Sequence, residues 1–182
     1  MQLTSDGAWL IGARQVLSPN CDERPADGDV SLIVVHGISL PPGEYGGPWI
    51  DDFFTNRLEC AVHPYFEEIE GMRVSSHILI RRDGELVQYV PFTRRAWHAG
   101  QSCYRGREAC NDFAIGIELE GQDDTPYADI QYRRLADLIR LLRRRFPAIG
   151  DDAIVGHSDV APGRKTDPGP AFDWSRLKTL LA

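Results

Sequence analysis

"SLIVVH", residues 31–36, is an unbroken run of aliphatic and β-branched side chains closed by a histidine. A strand with one wet face alternates apolar and polar residues. A continuous run belongs to a strand covered on both faces, as in the parallel sheets of α/β domains. "FAIGIELEG" (113–121) reads the same way, with Glu118 and Glu120 two apart and so on one face. "AIVGH" (153–157) is a third short run that ends in a histidine. "SSHILIRRDGELVQYV" (75–90) places two apolar-rich runs around Asp83-Gly84, a dipeptide that supplies positive φ to a hairpin turn.

Helical signals lie between the strands. "WIDDFFTNRL" has the length of a short helix. From Asp129, taken as an N-cap, to Phe146, the residues Leu135, Leu138, Ile139, Leu142 and Phe146 fall at helical spacing before Pro147. "FDWSRLKTLL" closes the chain as a helix capped by Asp173. Residues 1–30 are punctuated by Pro, Gly and Asp, with "WLIGARQV" their candidate for order, and "GISLPPGEYGGPW" reads as a long irregular loop. The expectation is one α/β domain over residues 1–182, a mixed central sheet flanked by helices.

The chain of 182 residues, with net charge −7 and pI near 5.2, does not suit nucleic acid as a main partner. The basic run "RRLADLIRLLRRRF" is the solvated face of the long helix. "AWLIGA" is too short for a signal-peptide core, and no stretch approaches the roughly 20 apolar residues of a membrane span. The expected setting is the cytoplasm, with no membrane partner and no obligate protein partner. Cys21, Cys60, Cys103 and Cys110 form no CxxC pair, which favours reduced thiols over a disulfide framework or a zinc finger.

Two buried strands that each end in a histidine, His36 and His157, would aim both imidazoles into one crevice if they lie parallel and adjacent. "VGHSDVAPGRKTDPGP" (155–170) carries Asp167 ten residues past His157, on a Pro/Gly-stiffened segment read as lacking regular structure and able to fold back. Two imidazoles and a carboxylate make a site suited to Zn²⁺ with a fourth position for water. Lys165 then hangs near the metal, where an ammonium stabilises an oxyanion. Glu118 is the general-base candidate that moves a proton from water to a leaving amine. The set suits amide hydrolysis.

Plainer readings exist for each residue. A histidine at a strand end is often only hydrogen-bonded, and His77 reads as a core histidine bonded to backbone. His63, before Pro64, reads as a loop residue, and Glu120 and Asp159 are second choices for base and ligand. Tyr45, Trp49 and Trp97 lie in Gly-rich segments, where an aromatic face stacks on a sugar or covers a satellite core. His98, in "AWHAG", is placed for a substrate contact.

"VVHGISLPPGEYGGPWI", "VSSHILIRRDGELVQYVPF", "RAWHAG", "NDFAIGIELEG" and "GHSDVAPGRKTDPGP" together resemble the zinc-dependent N-acetylmuramoyl-L-alanine amidases of the phage-lysozyme and peptidoglycan-recognition type. Within them the likeness is greatest to the cytosolic branch that acts on 1,6-anhydro-muropeptides. The resemblance implies that His36, His157 and Asp167 bind Zn²⁺ and that Glu118 and Lys165 assist catalysis. It also implies that His77 is not a ligand. Phage-type members carry a catalytic tyrosine where this chain has Ser76, which shifts the load to Glu118. Gly37 stands where close relatives often carry Asn. Trp97 for the sugar and Arg164 for a peptide carboxylate complete the expected substrate contacts, with His98.

The function so implied is a zinc hydrolase of anhydro-muropeptide in cell-wall recycling, cutting between the lactyl group of the sugar and L-alanine. The rivals are a muropeptide-binding module without turnover and a periplasmic amidase of intact peptidoglycan.

Overall fold

In a computed structural model that describes residues 1–25 and 29–182, the chain runs through strands β1 (Arg14–Gln15), β2 (Cys21–Asp22) and β3 (Leu32–Ile38). Helices α1 (Trp49–Phe54) and α2 (Pro64–Glu68) follow. Strands β4 (Ile78–Ile80), β5 (Leu86–Gln88), β6 (Arg95–Ala96), β7 (Cys103–Tyr104), β8 (Arg107–Glu108) and β9 (Ala114–Glu120) come next. Helix α3 (Asp129–Arg145), strand β10 (Ile154–Gly156) and helices α4 (His157–Val160) and α5 (Trp174–Leu181) complete it.

Six strands form the central sheet in the order β1-β5-β4-β9-β3-β10. Every neighbouring pair is parallel except β4 and β5, so the sheet is mixed, as the sequence pattern anticipates. β3 and β9 occupy its interior and are buried over nearly their whole length, which is why they carry unbroken apolar runs. The β4–β5 hairpin turns through Arg82-Asp83-Gly84, where Gly84 sits at φ 88. The N–H of Gly84 donates to the Arg81 carbonyl, and the N–H of Arg81 to the Glu85 carbonyl. This is the three-residue loop with a left-handed third position, one residue longer than a two-residue turn.

The sheet separates two cores. One, under α3 and α5, collects Ile33, Ile78, Ile80, Ile117, Leu135 and Leu142. The other, under α1 and α2, collects Phe53, Phe54, Phe66, Leu79, Val87 and Tyr89. Among the described residues, no helix is long and apolar enough to cross a membrane.

Three local expectations change. β3 does not stop at His36 but continues through Gly37 and Ile38, because the ladder with β9 extends to Ile38↔Glu120. Residues 155–170 are not wholly irregular, since β10 runs directly into α4 at His157. Asp129 is the first helical residue of α3 rather than its cap; the cap position is Ala128, whose N–H donates to Gln131 Oε1 at 2.9 Å. Asp129 instead pairs with Arg176 at 2.6 Å. At α5 the cap is as anticipated, with Asp173 Oδ1 accepting from the N–H of Arg176.

Candidate metal centre

β3 and β10 lie side by side and parallel, with Gly156 opposite Val35, so His157 enters beside His36 at the end of that ladder. The segment after α4 folds back, and the Asp167 carbonyl accepts from the N–H of Ser158 at 3.0 Å. Tyr127 fastens the next residue by donating its hydroxyl to the Pro168 carbonyl at 2.9 Å. The place where a Gly37 side chain would start is filled by that same hydroxyl, 2.3 Å from an ideal Cβ.

Three candidate ligand atoms meet as a result. His36 Nδ1 lies 3.0 Å from His157 Nδ1 and 3.2 Å from Asp167 Oδ2, and His157 Nδ1 lies 3.1 Å from that oxygen. Edges near 3 Å fit a tetrahedral ion with bonds of about 2.0–2.1 Å, whose ligand atoms stand roughly 3.3 Å apart. The tautomers point the same way. His157 Nε2 faces the Ala99 carbonyl at 3.2 Å, and a carbonyl only accepts, so the neutral ring carries its proton on Nε2 and presents the Nδ1 lone pair. That lone pair faces the acceptor oxygen of Asp167. An arrangement of converging acceptors needs a cation at its centre.

The surroundings tune these groups. Burial lowers the His36 pKa to about 4 and so keeps the imidazole neutral, as a metal ligand must be. Among the described residues, His36, His157 and Asp167 form the only His/Cys/Asp/Glu group close enough to hold a metal ion.

Glu118 stands opposite His36 in the β3–β9 ladder. Burial, then the Asp167 charge, push its carboxyl well above the usual range, while Lys165 works in the opposite direction. Its Oε2 is buried without a hydrogen-bond partner. Glu118, Lys165 and the three metal-ligand candidates line one cleft of about 520 Å³. Leu40, Phe53, Tyr65, Ile69 and Val74 give that cleft an apolar arm.

The remaining predicted residues are distributed differently. His98 is buried and lines the cleft, with Nδ1 3.0 Å from His36 Nε2. Arg164 does not line the cleft; its Nη2 donates to the Ala99 and Gln101 carbonyls at 2.5 and 2.7 Å. Trp97 is half-buried and also outside the cleft lining. Glu120 and Asp159 take structural work: Glu120 pairs with Arg81 at 3.0 Å, and Asp159 accepts from the N–H of Gly156 at 2.7 Å. His77 is a core histidine, with Nδ1 accepting from the N–H of Gly116 and Nε2 on the Arg94 carbonyl, both at 3.0 Å. His63 caps α2 by accepting from the N–H of Tyr65. Trp49 covers a satellite core, its ring 5.4 Å from that of Phe66, and Tyr45 lies under the Arg82 guanidinium. Sequence reading missed Asn111 and Tyr127, which act on the site through backbone and leave no periodic signal.

Comparison with known proteins identifies the family. The family described as N-acetylmuramoyl-L-alanine amidase (Amidase_2) matches residues 26–170. The chain is 60% identical over 177 residues to the 1,6-anhydro-N-acetylmuramyl-L-alanine amidase AmpD of Salmonella typhimurium strain SL1344, covering 97% of this chain and 94% of that one. AmpD of Escherichia coli K12 is also 60% identical, over 174 residues, 96% of this chain and 94% of that one. A crystal structure of an AmpD selenomethionine derivative superposes with a TM-score of 0.96 at 58% identity, over the whole of both chains. AmiD of E. coli in complex with anhydro-N-acetylmuramic acid-L-Ala-D-gamma-Glu-L-Lys is more distant, with a TM-score of 0.61 at 30% identity, over 87% of this chain and 60% of that one. On the likeness of its fold, the match over most of its length and its identity to these relatives, the chain belongs to the N-acetylmuramoyl-L-alanine amidase family.

Proposed function

We propose that this protein is a zinc-dependent hydrolase of anhydro-muropeptides, cutting the amide between the lactyl group of 1,6-anhydro-N-acetylmuramic acid and L-alanine, in cytoplasmic recycling of cell-wall fragments. The observation that supports it is the convergence of three acceptor atoms beside a buried carboxyl in one cleft. The names of the full-length relatives supply the substrate.

His36, His157 and Asp167 would hold the ion, and their N₂O donor set suits zinc. Zinc, when bound, supplies Lewis acidity toward the amide carbonyl and acidifies water. Glu118 takes the proton released as a water oxygen bonds to the carbonyl carbon. It returns that proton to the alanine nitrogen as the C–N bond breaks, so that a carboxylic acid and a free amine leave. Lys165 offers positive charge to the oxygen that turns anionic as the carbonyl becomes tetrahedral. The apolar arm offers contact area to the body of the substrate. Trp97 and Arg164 act farther out, on sugar and peptide carboxylate.

The test is mass spectrometry of the protein incubated with anhydro-muramoyl-tripeptide, with a chelated sample and a zinc-restored one. Free peptide that vanishes with chelator and returns with zinc is expected. Intact substrate in every tube, with binding still detectable, would make the protein a recognition module.

A further inference from the structure

His77 and His98 are both buried histidines, and they differ in how their rings are used. Both nitrogens of His77 meet backbone groups. His98 has a polar partner on one nitrogen alone: Nδ1 lies 3.0 Å from His36 Nε2, while Nε2 is buried and unpartnered. A histidine kept for packing would not leave a buried nitrogen bare, since such a group costs about 1–3 kcal/mol. The value of this ring is therefore at Nδ1, against the far side of His36.

The fold makes room for it. An ideal Cβ at Gly116 would stand 2.4 Å from the His98 ring, so β9 leaves out a side chain where the imidazole lies. The backbone of His98 is pinned as well. Asn111 Oδ1 accepts from the N–H of His98 at 3.1 Å and from the N–H of Ala99 at 2.8 Å. The Ala99 carbonyl meets His157 Nε2 at 3.2 Å and also accepts from Arg164 Nη2 at 2.5 Å. Two consecutive residues thus touch the outer nitrogens of both imidazoles.

We infer that His98 is a positioning residue: its Nδ1 accepts the Nε2–H of His36 and thereby turns the His36 Nδ1 lone pair onto the metal, as the Ala99 carbonyl does for His157, with Asn111 holding the backbone N–H groups of His98 and Ala99. The opposite proton arrangement, with His98 donating to His36 Nε2, would leave the proton of neutral His36 on Nδ1 and close it to a metal. Outer partners of ligating histidines fix tautomer and ring orientation in this way, and losing one costs about 10–100-fold in metal affinity or activity. The inference rests on His36, His157 and Asp167 being metal ligands.

Zinc affinity by chelator competition, with the visible spectrum of the cobalt-substituted protein, should be compared in wild type, His98→Leu and His98→Asn. His98→Leu should lose about 10–100-fold in zinc affinity and shift the cobalt bands. His98→Asn, which places an acceptor oxygen near the Nδ1 position, should recover most of that loss. Long-range ¹H–¹⁵N spectra of the zinc-loaded wild type, which need no variant, should show His36 protonated at Nε2 and His98 bare at Nδ1. Equal zinc affinity in wild type and His98→Leu, or a proton on His98 Nδ1, would overturn the inference and leave the metal site standing. A wild type that binds no zinc would remove the metal reading and this inference together.

Discussion

Glu118 and His36 are register partners in the parallel β9–β3 ladder, so a carboxyl and an imidazole rise from the same sheet face one strand apart. Their separation is set by backbone hydrogen bonding on interior strands and not by a loop. The proposed base is therefore positioned by the sheet itself.

It follows that Glu118→Gln should separate chemistry from metal binding. The amide keeps the shape but takes no proton, so kcat should fall by about 10²–10⁴. Zinc content by elemental analysis should remain that of the wild type. A variant that loses both zinc and activity would contradict this role.

Asp167 completes the proposed ligand set from a segment outside the sheet, at the third corner of the cluster. Zinc at a thousand times its dissociation constant should stabilise the wild-type fold by about 4 kcal/mol. In Asp167→Ala that increment should shrink sharply. Thermal unfolding with and without added zinc reads both.

Glu120 is buried against Arg81, and it also accepts from the N–H of Gly46 and of Arg82 at 2.7 and 3.0 Å. It therefore fastens the irregular segment between β3 and α1 to the β4–β5 turn. Glu120→Ala leaves the N–H groups of Gly46 and Arg82 without their acceptor, while Arg81 keeps Glu85 at 3.3 Å and Asp51 at 3.5 Å, and should cost about 1–3 kcal/mol. Urea unfolding of the metal-free protein would show it as a lower midpoint.

His77 supplies a pH prediction away from the metal ligands. Burial, and then the Arg24 guanidinium, pull its pKa down to about 3, below the 6.5 of an unfolded chain. The unfolded state therefore binds the extra proton in between. The contribution of a neutral His77 to stability is complete above pH 6.5 and is lost as pH falls from there toward 3, at up to about 1.4 kcal/mol per pH unit. The ring signals of His77 should stay flat from pH 8 to about 5 while the unfolding midpoint declines. A titration centred near 6.5 would refute it.

Much of this arrangement is legible in the residues themselves. Unbroken apolar runs at 31–36 and 113–117 announce interior strands, and the spacing of Glu118 and Glu120 puts both on one face, as the ladder shows. What pattern does not reveal is which of two equivalent carboxylates has a partner already. Arg81, which decides that for Glu120, comes from the neighbouring β4–β5 turn and reaches it only through the fold. His98 is harder still. Its place is explained by a missing side chain at Gly116 and by an amide at Asn111, neither of which has a period to detect. The end of β3 moved for a similar reason: a strand lasts as long as its partner does, and β9 runs on to Glu120.

The neighbouring strands β3 and β10 join residues far apart in the chain, with His36 and His157 separated by 121 positions. While the polypeptide is being made, His36 emerges from the ribosome long before either of its companions. Until the stretch reaching Asp167 has cleared the exit tunnel, there is nothing to trap an ion against that first imidazole. On the proposed ligand set, the three donors therefore come together only after synthesis has passed Asp167.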